Sequence, residues 1–257
     1  FADSCGTGGD NSGSINISTA VAFVVAAAGL PVVKHGNRSY TSRCGSADVL
    51  ERLGVKIDAT PKIMRDALDA TGVAFLYAPD YHPGLRHAAG ARRTLGVRTM
   101  MNILGPCLNP ARPPVQLLGV ADRTLLEPVA RTLASLGVAR ALVVHGDGLD
   151  EIALHGETEA IRVDNGSLKP FVISPEDAGL GRRSPEPLRG GDPDENARRL
   201  GALLGGGGEA AEIEIVALNA GALLHLAGLA ASIKEGVVLA LEELGSGRPA
   251  QVLRAFA

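Results

Sequence analysis

The chain has 257 residues, 46% of them hydrophobic and 21% charged, with a formal net charge of -3 at pH 7, so it is long and apolar enough to bury a substantial core without covalent staples. Aromatic residues make up only 3% and Trp is absent, which leaves neither a basic face nor a set of stacking rings for general nucleic-acid binding. Cys5, Cys44 and Cys107 are widely spaced and odd in number, which excludes a disulfide framework or zinc knuckle and makes a reducing compartment, the cytoplasm, the expected setting.

The sequence opens at Phe1 without Met or a charged leader and is expected to be part of something longer. Thr19 to Ala28 reads as a helix capped by Ser18 or Thr19 and stopped by Gly29 and Pro31. Its apolar run, Ala20 to Ala28, has nine residues, far short of the roughly 20 that span a bilayer, so the helix is expected to be buried. "PVVK" predicts a short strand. Gly45–Leu53 and Pro61–Ala70 follow as helices, the second with Pro in its first turn, and Val73–Ala78 is a strand. A helix is predicted over Pro83–Leu95, a strand over Val115–Val120, a helix over Leu125–Leu136 and a strand over Arg140–Gly146. Apolar strands alternating with helices predict an α/β fold with a mostly parallel central sheet flanked by helices. "EAIRVDNGSLKPFVIS" then predicts an antiparallel excursion turning at Asn165-Gly166. Leu180–Asp194 reads as a loop and Asn196–Phe256 as helical, interrupted at Gly205–Glu209.

The chemistry is concentrated in a few loops. "SCGTGGDNSGSINIST" places glycines before a helix, where backbone amides and the helix N-terminus attract phosphate. It fits neither a dinucleotide fingerprint, because Asn11 stands at the third glycine position, nor a Walker A loop, because Ser14 replaces the lysine. Between Asp10 and Asp48 lie 37 residues without a carboxylate, a stretch that carries Lys34, Arg38 and Arg43. Two anion-seeking loops separated by one helix suggest a ligand with two phosphate groups. Further on, "VVHGDGLDEI" puts Asp147, Asp150 and Glu151 after a strand, an arrangement suited to Mg²⁺ or to a plain surface turn. "YHPGLRHAAGARRTLGVRT" offers Arg86, Arg92 and Arg93 for a planar carboxylate, without saying which turns inward.

Taken together, "GTGGD", "NIST", "KHGNR", "GSADVLERLG", the segment from His82 to Pro110 and "HGDGLDE" resemble the anthranilate phosphoribosyltransferases of tryptophan biosynthesis, from Gly6 to Glu151 and more weakly through "GGDPDENARRL" and "LNAGALLHLAG". The resemblance implies a pentosyltransferase that moves phosphoribose from phosphoribosyl pyrophosphate (PRPP) to the amine of anthranilate, with Mg²⁺ and release of pyrophosphate. It implies PRPP contacts at Gly6, Gly9, Asp10, Ser14, Asn16, Ile17, Ser18 and Thr19 in the first loop. In and after the second loop it implies Lys34, His35, Gly36, Asn37, Arg38, Ser39, Tyr40, Thr41, Ser42 and Ser46. Anthranilate contacts are implied at Gly6, Asn37, His82 and Arg92, beside Gly105-Pro106, and magnesium ligands at Ser18, Asp150 and Glu151. No general base is implied. Cys5, Tyr40 and Cys107 depart from the family's usual residues without replacing a matched ligand.

The family also has a leading helical segment before the glycine loop, so residues 1–257 are expected to form the catalytic domain with its small helical part N-terminally incomplete. A homodimer is implied for the full-length protein. The apolar stretches Leu200–Leu204 and Ile213–Leu226 are expected to be left exposed by the missing segment. A pyrimidine nucleoside phosphorylase-like enzyme is disfavoured by "KHGNR" and by the acid pair; a non-catalytic phosphosugar-binding relative is the other alternative.

Overall fold

The computed structural model describes residues 1–39, 43–88, 94 and 100–257. In chain order its elements are β1 (Ala2–Gly6), α1 (Ile17–Ala27), β2 (Val32–Gly36), α2 (Ser46–Arg52), α3 (Pro61–Thr71), β3 (Val73–Tyr77), the short α4 (Ala78–Tyr81) and a 3-10 turn over Pro83–Ala88. There follow α5 (Met100–Cys107), β4 (Val115–Gly119), α6 (Leu126–Ser135), β5 (Arg140–Gly146), β6 (Thr158–Asp164), β7 (Ser167–Ile173), α7 (Pro193–Leu204), α8 (Ala210–Ala227), α9 (Ile233–Ser246) and α10 (Arg248–Phe256).

One seven-stranded sheet runs in the order β3-β2-β1-β4-β5-β6-β7. Strands β1 to β5 pair in parallel, and β6 and β7 add an antiparallel hairpin. That hairpin turns where the sequence predicts, with Asn165 and Gly166 at φ 46° and 87°, the two positive values a tight hairpin turn demands. The parallel strands β3 and β5 are apolar on both sides because both faces are covered. Along β5, Leu142 and Val144 pack into one core with α1 and α8. The intervening Ala141 and Val143 pack into the other with α6. Each fully buried Leu or Phe in these layers contributes roughly 1.5–3 kcal/mol.

Local chemistry sets the helix ends. Thr60 caps α3 by accepting from the Ile63 amide, Pro61 opens it, and Gly72 closes it at φ 76°. Asp192 caps α7 through the Glu195 amide, and Ser232 caps α9 through the Glu235 amide.

Several expectations need correction. The first strand, β1, lies inside the sheet between β2 and β4 and was not predicted, because Asp3 and Ser4 interrupt its apolar pattern; both are wholly buried. Helix α1 begins at Ile17, so Ser18 and Thr19 lie inside its first turn rather than capping it. Pro83–Ala88 forms a 3-10 turn rather than the start of an α-helix, and the remainder of the predicted Pro83–Leu95 helix falls mostly outside the described residues. Leu200–Leu204 and Ile213–Leu226 are not an exposed face: Leu200, Leu203, Leu204 and every residue from Ile215 to Leu224 are buried. Helix α8 has the length and apolarity to cross a membrane, yet 72% of it is buried inside the fold, packed between α1, α9 and the sheet.

The strand order reverses between β1 and β4. In an open parallel sheet that places a crevice beyond the carboxyl ends of these two strands. Strands β1, β2, β4 and β5 all end on glycine, at Gly6, Gly36, Gly119 and Gly146, and it is over this rim that the chain can pass closely.

Candidate functional site

A cavity of about 350 Å³ opens at that rim. Its wall is the loop after β1, the first turn of α1, the end of β2 with the loop after it, the Gly105-Pro106 corner of α5, and the acid pair Asp150-Glu151. Every described residue among those implied as PRPP, anthranilate or magnesium contacts lines this one cavity. Tyr40, Thr41, Ser42 and Arg92 lie outside the described residues.

The glycine loop and the acid pair face each other directly. The Gly8 amide, aimed by a left-handed backbone at φ 70°, donates to Asp150 Oδ2 at 2.6 Å. Asp10 is turned inward by accepting the Ser12 amide at 3.1 Å. The acid segment passes so close to β4 that a side chain on Gly119 would strike the Asp150 carbonyl, and one on Gly6 would strike its carboxylate. Only glycine admits that approach.

Burial pushes the Asp150 carboxyl up to about 7, with Asp10 adding repulsion and the Gly8 amide opposing it. Burial and then Asp150 push Glu151 well above the usual carboxylate range, while Lys34 and the Ser18 amide pull the other way. Helix α1 has no side-chain cap of its own, and its first turn, Ile17 to Thr19, lines the cavity, with the Ser18 amide turned to Glu151.

Two crowded carboxylates, one buried and one half-buried, favour a cation between them. Oxygen donors of this kind suit Mg²⁺, which is held by one or two carboxylates together with substrate phosphates. Among the described residues no three His, Cys, Asp or Glu side chains converge on a metal position, so this site fits a cation shared with a hydroxyl such as Ser18 Oγ and with substrate rather than a closed protein cage.

The raised carboxyl of Asp150 has a measurable consequence. Because its folded value lies above its unfolded one, the metal-free folded state holds more protons between about pH 4 and 7, and stability falls as pH rises through that window. Urea melts of the metal-free protein and of Asp150→Asn across this range should show a difference that grows with pH in favour of the variant. A pH-independent difference would mean that the carboxyl titrates normally.

Beneath the loop, Lys34 is 3% exposed. Its Nζ donates to the Ser4 carbonyl at 2.5 Å and to Ser18 Oγ at 3.0 Å. Burial raises the carboxyl of Asp3, with Lys34 as the main opposing charge. Asn109 Nδ2 ties Asp3 Oδ2, at 2.9 Å, to the Val33 carbonyl, at 2.8 Å. Sequence reasoning missed Asp3, and the only trace of Asn109 was its place in an Asn-Pro motif. The neighbouring Asn16 is also fixed, donating to the Cys44 carbonyl and accepting from Asn196.

Arg38 has acidic partners within the chain. It lines the cavity, but its guanidinium bonds Asp48 at 3.1 Å and both oxygens of Glu51 at 2.5 and 2.7 Å. The first acids after the carboxylate-free stretch thus occupy one of its cations. Deeper in, His35 and His82 meet edge to face, 5.1 Å between ring centroids, beside Gly105. Burial, then the neighbouring His82, lowers His35 to about 4, so it is neutral at physiological pH. The Nε2 atoms of both rings are buried and carry no hydrogen bond among the described residues.

The chain as a whole is similar to known proteins. Residues 1–250 match the family described as "Glycosyl transferase family, a/b domain". An anthranilate phosphoribosyltransferase from Sorangium cellulosum is 55% identical over 256 residues, covering 100% of this chain and 74% of that protein. The chain belongs to the anthranilate phosphoribosyltransferase family.

Structural likeness extends across the same span. The Thermus thermophilus anthranilate phosphoribosyltransferase superposes with a TM-score of 0.92 at 45% identity, over 99% of this chain and 76% of that one. The Saccharomyces cerevisiae family member, solved in complex with PRPP and Mg, gives 0.90 at 29% identity over 99% and 72%.

Proposed function

We propose that this cavity binds PRPP and anthranilate and catalyses Mg²⁺-dependent transfer of phosphoribose to the anthranilate amine, releasing pyrophosphate. The observation that carries this reading is the convergence on one crevice of the glycine loop, the start of α1, the loop after β2 and the acid pair, which together offer amides, hydroxyls and a cation site to a doubly phosphorylated sugar.

In this reading the loop amides and the N-terminus of α1 receive phosphate oxygens. Asp150, Glu151 and Ser18 hold the magnesium, which when bound neutralises charge on the departing pyrophosphate. The anomeric C–O bond breaks, its electron pair leaves with pyrophosphate, and the amine nitrogen forms the new C–N bond and loses a proton. Gly6, Asn37 and His82 line the acceptor side of the cavity, and Arg92 pairs with the anthranilate carboxylate as the family resemblance implies. The neutral aromatic amine needs placement more than activation, so positioning carries much of the rate. His35, kept neutral by burial, adds no cation to repel the developing positive charge on ribose. The homodimer and the cytoplasmic setting belong to the same proposal.

The test is direct: anthranilate fluorescence should be consumed only when PRPP and Mg²⁺ are both present. Turnover of a pyrimidine nucleoside with phosphate, or binding of PRPP without turnover, would select one of the two alternative readings instead.

A further inference from the structure

The acid segment after β5 is gripped from behind by a side chain to which sequence analysis assigns no role. Asn219, in the middle of α8, is wholly buried. Its Oδ1 accepts the Ile152 amide at 2.9 Å, and its Nδ2 donates to the Ile152 carbonyl at 3.0 Å and to the Ile215 carbonyl at 2.9 Å. Ile152 lies outside any strand or helix, so these bonds take the place of a sheet ladder for both of its backbone groups. A buried amide in an otherwise apolar helix is costly unless paired, and here both donors and the acceptor are engaged.

The neighbouring residues are pinned as well. Leu149 exchanges two backbone bonds with Gly146, each 3.0 Å, and the Ala153 amide donates to Thr158 Oγ1 at 3.0 Å. Asp150 and Glu151 sit between these anchors, with the backbone of Asp150 against Gly119. We propose that Asn219 is a positioning residue for the acid pair: by holding both polar groups of Ile152 it fixes the direction in which Asp150 and Glu151 present their carboxylates to the cation. The inference rests on the reading of that pair as magnesium ligands. Mg²⁺ demands near-ideal octahedral geometry at short distances, so a small displacement of either carboxylate weakens its hold.

The experiment uses Mn²⁺ as a paramagnetic probe, its binding in the presence of PRPP followed by electron paramagnetic resonance, together with the free Mg²⁺ needed for half-maximal rate. Asn219→Ala removes the grip. Asn219→Asp keeps the volume and the acceptor but loses the donor, and it decides the question if the alanine variant does not fold. Leu223→Ala, a buried truncation one turn along α8, controls for loss of stability alone. Both Asn219 variants should bind Mn²⁺ roughly 10–100-fold more weakly and need correspondingly more Mg²⁺, with the KM for anthranilate unchanged. Leu223→Ala should melt earlier yet bind Mn²⁺ as the parent does. Asn219 variants that bind Mn²⁺ like Leu223→Ala, while Asp150→Asn/Glu151→Gln has lost it, would overturn the positioning role and leave the acid pair in place. Undiminished Mn²⁺ binding by that double variant would overturn both.

Discussion

Replacing Asp150 by Asn together with Glu151 by Gln is expected to lower kcat by about 10³-fold or more, since stabilisation of the departing pyrophosphate depends on the cation these residues hold. The same change should stabilise the metal-free protein at pH 7 and above. Glu151 is buried and Asp150 half-buried, and both carboxyls are pushed upward, first by desolvation and then by a neighbouring carboxylate, so ionising them in the folded state costs free energy that two neutral amides avoid. Amide replacements preserve shape in the confined space beside Gly6 and Gly119, and the Gly8 amide keeps an oxygen acceptor. Loss of activity combined with a higher melting temperature is therefore the expected signature. It separates a catalytic deficit from a folding one, because a variant that had lost activity through misfolding would melt earlier. Added Mg²⁺ should raise the melting temperature of the parent and leave that of the double variant unchanged. Near-normal turnover in the double variant would remove these residues from the site.

Most of the α/β framework was legible because its signals are local. The apolar runs of β2 to β5, the Asn165-Gly166 turn and the Pro and Gly boundaries of α3 each specify their own element. The first strand escaped because its information is not local. Asp3 and Ser4 look like loop residues until Lys34, Asn109 and the backbone around them supply partners from 30 to 106 positions away. The helix start at Ile17 was misread for a related reason. Ser18 and Thr19 favour caps, but Ser18 Oγ is taken up by Lys34, and the first turn is left open toward the cavity. At the site, motif residues were found by resemblance, and the cavity gathers the described ones. Their partners within the chain were harder to read: no local signal pairs Arg38 with Asp48 and Glu51, its ion-pair partners in space. The exposed apolar face expected on α7 and α8 fails because these two helices pack within the core of this chain. An apolar run in sequence specifies burial without specifying by what.

Lys34→Met is expected to destabilise the metal-free protein by roughly 3–5 kcal/mol at pH 8, the usual cost of removing one member of a buried charge set. Methionine fills the space of the lysine stem, so the loss reports on charge and hydrogen bonds more than on a cavity. The ammonium holds the Ser4 carbonyl and Ser18 Oγ, and it is the main charge opposing the upward push on Asp3. Asp3 is wholly buried, and its Oδ1 has no hydrogen bond among the described residues. Without Lys34, Asp3 and Glu151 lose the cation that opposes their upward push, and their folded-state proton affinities rise further above the unfolded values. The folded variant then binds more protons than the unfolded chain above the ordinary carboxylate range, so its stability falls as pH rises and recovers as pH falls. The deficit measured by urea melts should accordingly be smaller at pH 5 than at pH 8. Adding Asp3→Asn to Lys34→Met should restore part of the loss at pH 8 and little at pH 5, because the amide removes the uncompensated charge while keeping an oxygen for Asn109 Nδ2. A deficit equal at both pH values, and unmoved by the second substitution, would make Lys34 a packing residue whose charge does not hold β1 and the floor of the cavity in place.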